Sequence, residues 1–189
     1  MAVHLTRIYT RTGDAGTTAL GDMSRVPKAD ARVGAYADCD ETNAVIGVAI
    51  ACGGAGDRTV AVLQHIQNDL FDVGADLCTP IVEKPEYEPL RVTEEQVTKL
   101  EGWCDEFNAD LPKLSSFILP GGSTASAYLH QARTVARRAE RSAWILAGEH
   151  EVNDCALRYL NRLSDLLFIL ARVENPGGDV LWLPGGQRD

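Results

Sequence analysis

At 189 residues and 45% hydrophobic content, the chain is long enough for one domain with a real core. A formal charge of -9 and a pI near 4.9 exclude a nonspecific nucleic-acid binder, because a phosphate backbone requires a basic footprint. Five cysteines, odd in number and without a CxxC pair, fit a reduced, cytoplasmic setting, and no run approaches the roughly 18 apolar residues of a membrane span.

The opening Met1 to Arg7 lacks the apolar stretch of a signal peptide, so neither export nor membrane insertion is expected. Residues 1–29 read as an N-terminal loop, 30–175 as a helical bundle and 176–189 as a tail, all in one domain. Within the loop, Thr10-Arg11-Thr12-Gly13-Asp14-Ala15-Gly16-Thr17-Thr18-Ala19-Leu20 has no hydrophobic period. Its glycines let backbone N–H groups turn inward, while its hydroxyls and guanidinium can complete a cradle around phosphate oxygens. No Gly-Lys-Ser or Gly-Lys-Thr of a P-loop follows. A polar surface turn is the plainer alternative.

Five helical stretches follow, with no internal repeat. The first runs from Asp30 or Ala31 to about Cys52, with Val33, Tyr36, Asp40, Ala44, Gly47, Val48 and Ala51 on one face. Asp40 interrupts that apolar stripe and requires a partner if buried. The second spans about Arg58 to Leu77 on Val60, Leu63, Ile66, Leu70, Val73 and Leu77, before a connection marked by Pro80, Pro85 and Pro89. Thr93 and Gln96 form a capping box for a third helix with Val97, Leu100, Cys104, Phe107 and Leu111 on its face, broken by Pro112.

A second loop, Ser115 to Gly122, precedes Ser123, a cap for the fourth helix. That helix carries Leu129, Ala132, Ala136, Ala139, Ala143 and Leu146, mostly alanine, so its neighbours must approach closely. The fifth spans roughly Asn153 to Glu174 on a leucine face, and Pro176-Gly177-Gly178 stops it. The tail, Val180 to Leu183, is expected to pack back on the bundle. Helices of this length predict an all-α, five-helix up-and-down bundle.

Two polar stripes stand out. On the fourth helix Arg133, Arg137 and Arg141 recur every four residues, with Arg138 and Glu140 beside them. This is either a solvated basic surface or a site for a small polyanion in an acidic protein. On the fifth, Asn161, Asp165 and Phe168 share a face bordered by Ser164 and distinct from the leucines. The threonine-glycine loop, Lys28 and the arginine ridge together fit a triphosphate. The histidines His4, His65, His130 and His150 form no metal-ligand cluster, so no metal-ligating residues are expected, and no protein nucleophile or general base is evident. Some other reactant must supply the nucleophile.

The chain resembles the PduO-type ATP:cob(I)alamin adenosyltransferases. The matching blocks are Tyr9 to Thr18, Lys28 with Ala35-Tyr36 and Asp40-Glu41, Ser116 to Gly122, Ala132 to Arg141, and Tyr159 to Phe168, in family order over most of the chain. The resemblance implies a homotrimer of five-helix bundles with active sites between subunits. It implies transfer of the 5′-deoxyadenosyl group of ATP to cob(I)alamin, with Mg2+ and release of triphosphate. The metal-centred nucleophile explains the missing base. By motif, Thr10, Arg11, Thr12, Gly13, Asp14, Gly16, Thr18, Ala19 and Lys28 would bind ATP from one side, and Arg137, Arg138, Glu140, Arg141 and Asn161 from the other. Phe117 would exclude the dimethylbenzimidazole ligand from the lower face of the corrin, and Asp40 would pair with Arg133 across a subunit boundary. The catalytic set implied is thus Arg137, Phe117, Asp40 and Arg133. Implied partners are a reductase supplying reduced cobalamin and an adenosylcobalamin-dependent enzyme receiving the product.

The family's usual Asp-Glu-Leu-Asn is Asp40-Glu41-Thr42-Asn43 here, and Asp22-Met23-Ser24-Arg25 replaces a more glycine-rich link. Two rival readings are a non-catalytic cobalamin or nucleotide carrier and an ATPase using Asp14 to Thr18 as an actin-like phosphate turn. The second requires flanking strands, which the local pattern does not predict.

Overall fold

The computed structural model describes residues 9–187, so the opening Met1 to Ile8, with the signal-peptide reading and His4, and the last two positions of the tail lie outside the described residues. The five helices are α1 (Ala31–Gly53), α2 (Asp57–Cys78), α3 (Glu94–Asn108), α4 (Thr124–Glu149) and α5 (Asp154–Val173). They pack in the spatial order α2, α1, α4, α5, α3, and α2 also touches α5.

Local chemistry sets the helix ends. Asp30 caps α1 by accepting from the Arg32 N–H at 2.8 Å, and Gly54 ends it at φ 68°. Gln96 accepts from the Thr93 N–H at 3.0 Å in the capping box of α3. Ser123 accepts from Ser126 N–H to start α4, and Asn153 from Cys155 N–H to start α5. Leu111 falls beyond the end of α3, where the chain turns toward Pro112.

The core follows the two dominant periodicities. Ala132, Ala136, Ala139 and Ala143 of α4 are fully buried, as are Leu160, Leu163, Leu167 and Leu170 of α5. Small side chains let α4 lie close to α1, and these two helices form the broadest helix contact. The α1 face facing α4 and α2 is Ala35, Cys39, Thr42, Ile46 and Ala49, all buried. The stripe expected from sequence is therefore the outward one: Asp40, Ala44, Val48 and Ala51 are exposed. Alanine and glycine occupy both sides of α1, so composition alone could not choose between them. Burial does push the Cys39 thiol up to about 12, with Asp38 and Asp40 adding to the shift.

Buried carboxylates tie distant segments together. Asp76 receives Arg91 Nη1 at 2.6 Å, the Val92 N–H at 2.8 Å and Asn153 Nδ2 at 2.7 Å, locking the α2–α3 connection to the start of α5. Tyr159 donates its hydroxyl to Asp69 at 2.9 Å inside the bundle. Each buried charge is thereby matched by donors, the condition for tolerating it there.

The N-terminal segment differs from the expected strand-free loop. Thr17–Ala19 (β1) and Arg25–Pro27 (β2) form a short antiparallel hairpin, with Thr18 opposite Val26. Strands of three residues leave no readable alternation. Its turn contains Met23 at φ 66°, within the segment that departs from the family's glycine-rich link. The tail also differs: rather than joining the core, Val180 to Trp182 pairs with the Phe117 loop.

Candidate active site

The N-terminal loop is held in shape by its own polar groups. Arg25 Nη2 donates to Thr12 O at 2.7 Å, Thr17 O at 3.2 Å and Thr17 Oγ1 at 2.7 Å. The hydroxyls of Thr10 and Thr12 lie 3.0 Å apart. Lys28 donates its backbone N–H to Gly16 O at 2.9 Å, and a Cβ on Gly13 would come within 3.2 Å of Lys28 Nζ. Gly13 thus lets the ammonium lie against the loop backbone. Gly16 and Arg11 both adopt left-handed φ, 81° and 62°, the second a strained conformation for a non-glycine residue. The Thr18 hydroxyl meets Tyr36 of α1, whose own hydroxyl is pushed up, chiefly by burial. The hairpin turn hangs on the end of α2 through Gly21 N–H to Cys78 O at 3.2 Å. The loop therefore gathers Thr10, Arg11, Thr12, Gly13, Asp14, Gly16, Thr18, Ala19 and Lys28 into one folded segment.

The second cluster lies on α4 and α5. One cleft is lined in part by Phe117, Arg133, Arg137, Asp165, Phe168 and Arg172. An adjoining hollow shares Phe117, Arg133 and Phe168 and adds Trp182. On the other side of Arg137 a third is bordered by Arg138, Glu140, Arg141 and Trp144. Asn161 Nδ2 donates to Glu140 Oε1 at 2.9 Å, and its Oδ1 accepts from Arg162 Nη1 at 2.6 Å, so its amide orientation is fixed. Burial, with Arg162 and Arg137 opposing and Glu140 reinforcing, pushes the Asp165 carboxyl above the usual range.

The arginines divide sharply. Arg138 is committed to α1, paired with Glu41 and 3.5 Å from Asp38. Arg137 and Arg141 make no hydrogen bond or ion pair among the described residues. The Arg133 Nε atom is buried without a partner, and burial together with Arg137 lowers its affinity for its proton. Asp40, exposed on α1, pairs with nothing among the described residues, so the Asp40–Arg133 contact expected between subunits has no counterpart within one protomer. Nor does any described cleft along the ridge include a residue of the N-terminal loop.

Phe117 is 80% exposed, which rules out a core-packing role; its ring meets Trp182 edge-on at 6.2 Å. Three residues of this region escaped the sequence reading. Arg25 carries no local signal. Trp182 was visible only as part of an apolar tail expected to pack back on the bundle, and Arg172 as a lone charge in the apolar run at the end of α5.

A bundle with a cationic, partly unpaired ridge and a separate phosphate-type loop defines an all-α protein suited to holding a polyanion. Comparison with known proteins gives the family. The profile of cobalamin adenosyltransferases matches residues 8–174, and the chain belongs to that family. It is 65% identical to the corrinoid adenosyltransferase of Mycobacterium tuberculosis over 190 residues, covering 100% of this chain and 98% of that protein. It is 45% identical to the Bacillus subtilis corrinoid adenosyltransferase over 172 residues, covering 89% and 86% of the two chains. Among solved structures, a phenylalanine-to-alanine variant of the PduO-type ATP:corrinoid adenosyltransferase of Lactobacillus reuteri, complexed with cobalamin and ATP, superposes with a TM-score of 0.86 at 34% identity. That match covers 93% of this chain and 99% of the other.

Proposed function

We propose that the protein transfers the 5′-deoxyadenosyl group of ATP to the cobalt of cob(I)alamin, releasing triphosphate. The observation that carries this reading is the pairing of an unneutralised arginine ridge with an exposed phenylalanine beside it, in a chain of this family. Cobalt(I) donates its electron pair to C5′ of the ribose; the Co–C bond forms as the C5′–O bond breaks, and that bond's pair leaves with triphosphate. No proton is removed, so the step asks for no general base. Catalysis then consists of alignment and of stabilising charge on the leaving group.

The loop residues Thr10, Arg11, Thr12, Gly13, Asp14, Gly16, Thr18, Ala19 and Lys28 hold ATP from one side. Arg137, Arg141, Glu140 and Asn161 hold it from the other, with Arg138 fixed against α1. Because loop and ridge line no common cleft in one protomer, the reading places them in different subunits of a homotrimer. Asp40 of one chain then supplies the partner that the half-buried Arg133 of another lacks. The exposed Val48, Trp144 and Ile145 support such covering. Mg2+ is expected on the phosphate oxygens: no three His, Cys, Asp or Glu converge as a metal cage among the described residues, and this ion commonly binds through substrate phosphates.

Phe117 occupies the lower-face position, where an apolar ring offers cobalt no donor and leaves no room for dimethylbenzimidazole. A reductase must supply Co(I), and the product passes to an adenosylcobalamin-dependent enzyme. A cytoplasmic setting agrees with five unpaired cysteines, and no described helix is long and apolar enough to cross a membrane. The test is anaerobic incubation of purified protein with cob(I)alamin and MgATP. Adenosylcobalamin and triphosphate in equal amounts are expected; ADP formed without cobalamin would indicate the ATPase reading, and binding without turnover a carrier.

A further inference from the structure

The loop that carries Phe117 runs alongside the end of α5. Arg172, 7% exposed at the end of α5, donates from Nη2 to Pro112 O at 2.7 Å and from Nε to Asp179 Oδ2 at 2.7 Å. One guanidinium therefore grips Pro112, between α3 and the Phe117 loop, and Asp179 in the tail. From there the two segments run as an antiparallel ribbon. Leu119 N–H donates to Val180 O at 2.8 Å, Trp182 N–H to Phe117 O at 2.8 Å, and Ser116 Oγ to Trp182 O at 3.1 Å.

The far end of the loop is tied to the same helix terminus. Ser123 donates its hydroxyl to Glu174 O at 2.5 Å and its N–H to Asn175 Oδ1 at 3.2 Å, while Asn175 Nδ2 donates to Gly178 O at 2.7 Å. Gly122 sits at φ 98° with the Asn175 side chain 2.4 Å from where a Cβ would stand, so only glycine permits this closure. Every polar tie on the ribbon leads back to the C-terminus of α5 or to the tail it releases.

We infer that Arg172 and Asp179 are positioning residues for adenosyl transfer, a buried ion pair that holds the Phe117 loop and the Trp182 tail together as one wall of the cleft. This rests on the proposed function, because it assigns the pair a role in placing the ring at the corrin. The charges suit the task. The planar guanidinium divides its N–H groups between two partners, Nε on the Asp179 carboxylate and Nη2 on the Pro112 carbonyl, and so fixes the angle between them as a lysine point charge would not. The tail thereby becomes part of the site even though Val180 to Leu183 are all substantially exposed.

The test uses Asp179→Asn in the full-length protein, which keeps size and hydrogen-bonding capacity but removes the charge, with Asp179→Glu as the conservative control. Hydrogen exchange at the amides of Leu119 and Trp182, and the four-coordinate cob(II)alamin absorption formed with excess ATP, are read below the melting temperature. In Asp179→Asn those two amides should exchange at least about tenfold faster and the four-coordinate signal and kcat should fall about tenfold or more, with ATP affinity unchanged, since small misplacements at a reacting centre are costly. Phe117→Ala should abolish the signal without altering Leu119 exchange, and Asp179→Glu should recover most of it. An Asp179→Asn protein with wild-type signal and kcat overturns the positioning role, whatever its melting temperature. A wild-type protein that gives neither four-coordinate cob(II)alamin nor adenosylcobalamin overturns the proposed function instead.

Discussion

The N-terminal loop and the α4 ridge both carry cations toward the same proposed ligand, yet they are prepared in opposite ways. The loop satisfies itself: Arg25 staples two of its carbonyls, the hydroxyls of Thr10 and Thr12 meet each other, and Lys28 lies over Gly13. The ridge is left open, with Arg137 and Arg141 unpaired among the described residues and the buried Arg133 Nε lacking an acceptor. A loop must be internally bonded to hold a shape at all, because it has no helical ladder. A helix already has its backbone satisfied, so its side chains can wait for outside partners. Shape is therefore stored in the loop and unspent charge on the helix.

The largest test removes one side of the proposed Asp40–Arg133 contact at a time. Asp40→Ala and Arg133→Ala should each destabilise the proposed trimer by about 3 kcal/mol or more, the usual result of leaving one member of a covered ion pair alone. Their double mutant should cost well under the sum, measured by the concentration dependence of dissociation. Additivity within about 0.5 kcal/mol would remove the contact and leave the open ridge without its explanation.

A smaller effect is expected where the ridge keeps its charge but loses its fork. Arg137→Lys should lower kcat by about tenfold to a hundredfold and weaken ATP binding while cobalamin affinity holds, read by steady-state kinetics in both substrates. The converse pattern would assign Arg137 to the corrin.

The smallest effect concerns the residue behind the ridge. His130 is buried, its Nδ1 is unpartnered and its ring meets Phe168 at 6.0 Å. Burial first, then Arg133, lower its proton affinity from the ordinary 6.5, with Asp179 opposing. With the folded value below the unfolded one, the unfolded chain binds the proton more readily, so stability is full above 6.5 and is lost as pH falls through it. Denaturation followed from pH 7.5 to 5 should show a shallower loss in His130→Gln than in the parent; identical slopes would contradict a neutral His130.

Much of the architecture was legible because α4 and α5 each carry one dominant stripe, alanine in one and leucine in the other, and because Asp30, Thr93, Ser123 and Asn153 mark helix starts with side-chain oxygens. α1 was not legible in the same way. Ala35, Ile46 and Ala49 on one side and Ala44, Val48 and Ala51 on the other give it two apolar faces, of which the second is exposed. The hairpin strands were too short to show a period. The Asp76 and Arg172 ties join residues far apart in sequence, and no spacing rule reports such pairs. Of the site, the ridge and the loop were each readable as units, but the commitment of Arg138 to Glu41 and Asp38, and the part played by Trp182, needed three dimensions.

The central claim, that the loop of one subunit completes the ridge of another, is tested most directly by mixing two inactive proteins. Lys28→Ala damages only the loop and Arg137→Ala only the ridge. After denaturation and joint refolding in equal amounts, a site with both intact halves can form only between unlike chains. Random assembly of trimers should then restore about a quarter of wild-type adenosylcobalamin formation. Activity no greater than the sum of the two parents, from mixtures shown to contain hybrid trimers, would place the whole site within one chain and contradict the account.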